Sequence, residues 1–298
     1  MTVSGRRADA LEPLVERYGA RAVVADLADA ADVERLAAEA AGTDILISNA
    51  ALPGSGDLLD CTPEQLDRAF AVNLRAPAVL ARLLAPSMVE SGGGHLAFIG
   101  SMAGKVTTRS MSLYSGGKFG LRGFALGLRQ DLHGTGVGVS IVQPGFVRDV
   151  GMFAVTGAKP PTGMRTVSPR QVVAGVVRAV ERDVAEVNVA PVELRLLAAI
   201  GGQFPGFAER LQRGGPGERT LRECGGGAAL TPLGGVVGGR CYGLPRCRSR
   251  GGHRAERPPG GPRPCAASDR RGALERRPGA ARLHDPPGVG RCGGPRAR

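Results

Sequence analysis

The chain has 298 residues, 42% of them hydrophobic, with six cysteines, no tryptophan and a formal net charge of +12. Nearly all of that charge belongs to residues 214–298, which hold 17 Arg, no Lys and 6 acidic residues; the first 213 residues, with 22 basic and 21 acidic side chains, are close to neutral. The basic total therefore gives no argument for nucleic-acid binding by that first region, and its single cysteine, Cys61, excludes a disulfide framework there; no run is apolar enough for a membrane span, no signal peptide is visible, and a cytoplasmic setting is expected.

In chain order, Met1–Gly5 reads as the end of a strand running into a helix over 8–18. A strand at 21–25, a helix at 29–41 and a strand at 44–48 follow. A long helix is expected from 63 to 88, with Pro63 suited to its first turn and Asn73 inside it. After the Gly92-Gly93-Gly94 turn, His95–Gly100 reads as a buried strand, with Ser101 at its carboxyl end. A helix over 112–133 leads to a strand at 137–142 and then to Gln143-Pro144-Gly145. A long connection, 146–168, precedes a helix at 169–182, a strand at 186–189 and helices at 191–200 and 204–211. His95 and His133 have no partner pattern and read as surface or turn residues. Strands alternating with helices argue for an α/β fold, a doubly wound parallel sheet covered on both faces.

The chemistry is concentrated in one helix. Tyr114 and Lys118 are four residues apart and share a helical face, so the lysine cation can sit near the phenol and lower its pKa. A phenol titrates near 10, and this help is what an acid/base tyrosine needs at neutral pH. Ser101, at the end of a strand, lies where open parallel sheets bind ligands. Taken singly, these residues read equally as a solvated lysine, a turn-capping serine and a helix-bending asparagine.

Taken together, Asn49-Ala50-Ala51 after Ile45-Leu46-Ile47-Ser48, Asn73 in Val72-Asn73-Leu74, Gly100-Ser101-Met102-Ala103-Gly104, Tyr114xxxLys118 and Pro144-Gly145 stand in a telling order. They resemble the signature of the short-chain dehydrogenase/reductase family, over roughly residues 4–213. The resemblance implies a Rossmann-like sheet of order 3-2-1-4-5-6-7. It implies an NAD(P)-dependent oxidoreductase interconverting a carbonyl and a secondary alcohol, with catalytic residues Asn73, Ser101, Tyr114 and Lys118. Tyr114 would be the acid/base, Ser101 would bond the substrate oxygen, and Lys118 would lower the Tyr114 pKa and hold the nicotinamide ribose. Asn73 would place a water in the proton relay. One departure is Ala51, where the family has glycine, a mild penalty if that backbone needs φ > 0.

The cofactor half is less complete. The fold's first strand and the Gly-rich turn that receives the pyrophosphate are not found. Gly134-Thr135-Gly136-Val137-Gly138 precedes a strand, whereas the fingerprint must follow one. The expected fold thus lacks its first strand–helix unit, an upstream start codon and a true fragment being the two explanations. By resemblance, Arg6 and Arg7 at the end of the second strand favour NADP(H) over NAD(H), and Asp26-Leu27 match the adenine contact; Asp26 also reads as a cap for a helix from Ala28. Asn49, Ala50, Ala51, Tyr114, Lys118, Pro144 and Gly145 complete the implied cofactor set. With its central strand gone, the strand at 21–25 would have nothing to link it to 44–48, making the region before residue 43 the worst packed.

By resemblance, residues 146–168 form a substrate lid in which Met152, Phe153 and Val155 suggest an apolar substrate, and the helices at 63–88 and 112–133 form a homodimer or homotetramer interface. Residues 214–298 are expected to be a separate, disordered tail, since 49 of 85 residues are Gly, Pro or Arg. Their composition matches an out-of-frame reading of a GC-rich gene; metal binding by the irregularly spaced tail cysteines and nucleic-acid binding are not expected. The alternative to an active enzyme is a catalytically silent fragment that acts as a binding module.

Overall fold

The computed structural model describes residues 1–54, 56–152 and 164–213. The expected tail, and Phe153 and Val155 of the expected lid, lie outside them. In chain order the elements are β1 (Thr2–Gly5), α1 (Ala8–Tyr18), β2 (Arg21–Val24), α2 (Ala30–Glu39), β3 (Ile45–Ser48), α3 (Pro63–Phe70) and α4 (Ala76–Glu90). There follow β4 (Gly94–Ile99), α5 (Ser112–Asp131), β5 (Val137–Pro144), α6 (Pro169–Glu181), β6 (Glu186–Val189), α7 (Val192–Gln203) and α8 (Pro205–Arg213).

All strand pairs are parallel, but they form two sheets. One is β1-β2; the other is β3-β4-β5-β6, with β3 at its edge. The break falls where the expected order places its first strand, so among the described residues β3 pairs with β4 alone. What joins the halves is helix packing: Val23, Val33, Leu36, Ala76 and Leu80 form one cluster from β2, α2 and α4, and Leu46 of β3 packs against it. A second cluster, built on Leu84, Met88, Leu96, Phe98, Leu121, Val139 and Ile141, fixes α4 and α5 to one face of β4 and β5. On the other face, α6 packs Ala179 against Ile99, Val142 and Val187. Ile45 and Ile47, two apart on β3 and so on one face, remain 48% and 53% exposed.

Local chemistry explains the helix starts. Thr62 and Ser168 each make a capping box, with Gln65 and Gln171, and each is followed by proline at the first helical position. Asp29, accepting from the amides of Ala31 and Asp32, caps α2; Asp26, expected as a cap, does not. The expected single helix over 63–88 is interrupted by a π turn, Ala71–Arg75, in which the Ala76 amide bonds to the Ala71 carbonyl. His95 departs from expectation: its side chain is buried, with Nε2 2.9 Å from the Ser140 hydroxyl.

Candidate active site

Ser101 follows β4 after the single residue Gly100. Its hydroxyl accepts from the Ala103 amide at 3.2 Å, capping a short 3-10 turn, and it also favours the ionised form of the Tyr114 phenol. Turn cap and tyrosine partner are therefore one group. Tyr114 sits in the first turn of α5 and is 9% exposed. Its amide, among those a helix start leaves without a partner, donates to the Gly54 carbonyl at 3.3 Å. Gly54 has to lack a side chain, because a Cβ there would come within 2.9 Å of the Tyr114 nitrogen.

Lys118 lies one turn further on and is 2% exposed. Its Nζ donates to the Ile99 carbonyl at 2.8 Å and stands 5.8 Å from the Tyr114 ring centroid. Burial lowers the ammonium pKa to about 8. For Tyr114, burial pushes the phenol above its ordinary value and the Ser101 hydrogen bond offsets part of that rise. Desolvation decides the direction of the phenol's shift, and the lysine reaches a backbone carbonyl at the strand end.

Asn73 lies in the π turn and is buried. Its Oδ1 accepts from the Leu52 amide at 2.7 Å and its Nδ2 donates to the Leu52 carbonyl at 3.0 Å. The side chain is a clamp on the loop after β3, with one N–H and one lone pair of its amide beyond these two bonds. Gly117 lets this clamp approach α5, since a Cβ there would lie 3.1 Å from the Asn73 Cβ. Pro144 and Gly145 end β5 beside this site, in register with β4 through Ile99 and Val142, and the Gly145 amide donates to the Val189 carbonyl.

Arg6, Arg7, Asp26 and Leu27 belong to the other half, at the ends of β1 and β2. Burial pulls the Asp26 carboxyl up, but Arg68 at 2.7 Å, the Ala28 amide and the Arg6 charge outweigh it and hold it below the usual carboxylate range. Arg7 lies 3.8 Å from Asp9, and Leu27 packs on the α2 cluster. Asn49 and Ala50 are exposed after β3. Ala51 has no positive φ, so its methyl group carries no backbone penalty.

The sequence reading missed Gln143, Glu186, Lys105 and Arg122. Gln143 accepts from the Ser101 amide at 2.7 Å and donates to Glu186 at 3.1 Å; Arg122 and Lys105 hold the same carboxylate. A fully buried amide in an apolar strand was the available signal. The larger cavity described, about 500 Å³, lies at the amino ends of β4 and β5, lined by His95, Arg129, His133 and Asp183, and contains none of the expected site residues. Among the described residues no helix is long and apolar enough to cross a membrane, and no group of three potential metal ligands occurs.

Comparison with known proteins bears on the family and the fold. Ketoacyl reductase HetN of a Nostoc species is 35% identical over 175 residues, covering 57% of this chain and 61% of that protein, so the chain spans under two thirds of this relative's length. The cyclic-di-GMP-binding biofilm dispersal mediator protein of Escherichia coli is 34% identical over 138 residues, covering 46% of this chain and 57% of that protein. A short-chain dehydrogenase from Sphingobium yanoikuyae, solved in complex with NADPH, superimposes with a TM-score of 0.60 at 25% identity, covering 73% of this chain and 88% of that one. The sequence pattern of the family described as short chain dehydrogenase matches residues 1–160, more than half of the chain. The chain belongs to the short-chain dehydrogenase/reductase family.

Proposed function

We propose that residues 1–213 form the catalytic region of a cytoplasmic oxidoreductase that interconverts a carbonyl and a secondary alcohol, using NADP(H). The observation that carries this reading is the burial of Tyr114 and Lys118 one helical turn apart on α5, the Lys118 ammonium 5.8 Å from the phenol ring, with Ser101 acting on the same phenol. The residues fit one half of a nicotinamide dinucleotide. Lys118 has three N–H donors and bonds one protein acceptor among the described residues, which suits it to ribose hydroxyls. At the other end, Arg6 near Asp26 supports NADP(H), and the Sphingobium structure contains NADPH. For the pyrophosphate, no strand leading through a Gly-rich turn into a helix is found among the described residues.

A bound nicotinamide cofactor supplies the hydride. The chain's own residues handle the proton. Ser101 bonds the carbonyl oxygen, and Tyr114, whose raised pKa keeps it protonated at neutral pH, gives its proton to that oxygen as it becomes alkoxide-like. In the reverse direction the phenolate takes the proton back, so oxidation gains rate as pH rises. A homodimer or homotetramer through α4 and α5 fits the half-exposed Leu83, Val89 and Phe119 on those helices.

The second reading, a catalytically silent fragment that binds a partner, is favoured by the divided sheet. Reduction of a carbonyl panel with NADPH separates the two. Activity that falls at least about a hundredfold in kcat in Tyr114→Phe, with NADPH binding retained, supports the enzyme. Absence of any NADPH fluorescence change or thermal shift supports the fragment.

A further inference from the structure

We propose that Gln143 is a positioning residue for Ser101, its side-chain amide held in one orientation by Glu186. The inference rests on the reading of Ser101 and Tyr114 as the proton-handling pair. Gln143 is the last side chain of the β5 apolar run and is 0% exposed. Burying a primary amide costs free energy unless its groups are bonded. Here Oε1 accepts from the Ser101 amide at 2.7 Å and Nε2 donates to Glu186 Oε1 at 3.1 Å. Gly100 permits the approach, since a Cβ at that position would overlap the Gln143 amide.

The orientation follows from charge. An ionised carboxylate only accepts hydrogen bonds, so the NH2 end of Gln143 must face Glu186 and the carbonyl end must face Ser101. Glu186 is itself fixed. Arg122 donates to it at 2.8 and 3.1 Å, and the Lys105 ammonium lies 3.1 Å away while also bonding Asn188. Burial raises the Glu186 pKa, but Arg122, Gln143 and Lys105 outweigh it and leave it at about 2, so the carboxylate is ionised at every working pH. Arg122 is one turn beyond Lys118 on α5. The helix that presents Tyr114 therefore also braces Ser101, through Arg122, Glu186 and Gln143 in turn. That closes a ring of contacts between the two members of the proton-handling pair.

The test reads the effect of Ser101 on Tyr114 directly and needs no turnover. Ionisation of Tyr114 is followed by absorbance after a stopped-flow pH jump on the full chain, with Tyr114→Phe in each background as the blank. Ser101→Ala and Gln143→Met should each raise the Tyr114 pKa, by roughly half a unit or more, and the double variant should raise it no further. Glu186→Gln, which leaves Ser101 and Gln143 in place but removes the charge that sets the amide, should raise it too. If Gln143→Met does not fold, Glu186→Gln decides. A folded Gln143→Met or Glu186→Gln that titrates like the parent overturns the proposal. An inactive parent in which these shifts appear overturns the catalytic reading alone, whereas no shift in Ser101→Ala removes the pair on which both stand.

Discussion

Lys118 shows the conflict between folding and chemistry at a single residue. A long side chain with its ammonium buried against one carbonyl is held near pH 8, while the unfolded chain titrates it near its ordinary value of 10.5. Between those two values the unfolded state binds more protons than the native state, so stability rises with pH across that window until the raised Tyr114 pKa opposes it above 10. Below pH 8 the charge is carried in both states and its burial is a standing cost on the order of 3 kcal/mol. Lys118→Met should therefore raise the urea midpoint at pH 7, remove the pH-dependent gain between 8 and 10, and abolish turnover. A midpoint that falls would mean that the Lys118–Ile99 bond outweighs desolvation. The tyrosine–lysine pair was legible in the sequence because both sit on one helix four residues apart. Gln143 was not, because its partner Ser101 is 42 positions away and only the pairing of β4 with β5 brings them together.

At the scale of elements, the π turn between α3 and α4 places the Asn73 clamp. Pro77 is four residues after Asn73 and lacks the N–H that an α-helix would send to the Asn73 carbonyl, and its ring crowds that carbonyl. The helix yields there by one residue, as seen in the Ala76–Ala71 hydrogen bond. Periodicity alone reads 63–88 as one helix, since the apolar pattern crosses the distortion; the proline offset was the physical signal for the break. The gain is that Asn73 meets Leu52 with both its amide groups, fixing the loop that also receives the Tyr114 amide at Gly54. Asn73→Ala removes both bonds and leaves the half-buried Leu52 amide and carbonyl short of partners, which should cost about 2 kcal/mol in urea unfolding. Amide exchange at Leu52 should accelerate in step. Unchanged exchange there would mean that the loop is held by Gly54 alone.

At the scale of the molecule, the element order could be read from the alternation of strands and helices, and the break in the sheet only from the strand order that the family resemblance implied. The manner in which the halves stay together could not, since it depends on α2 meeting α4 across residues distant in sequence. Two short parallel strands have little independent stability, and parallel pairing needs cover on both faces. For β1 and β2 that cover consists of α1, which buries Leu11 alone, and the small cluster around Val33 and Leu36. By contrast, β4 and β5 have strand neighbours on both sides and helices on both faces. Opening the β1–β2 half would expose a few side chains and leave the larger core intact, so it should occur as a local event well below the global unfolding free energy. Hydrogen exchange in native conditions should then show Thr2–Gly5 and Arg21–Val24 exchanging orders of magnitude faster than Leu96–Ile99 and Val139–Val142, with a weak denaturant dependence that reports little new surface. Equal protection across both sheets would mean that helix packing alone makes them one cooperative unit. In that case Arg6 and Asp26 would be held against the catalytic half as firmly as Tyr114 is, and the divided sheet would cease to count against cofactor binding.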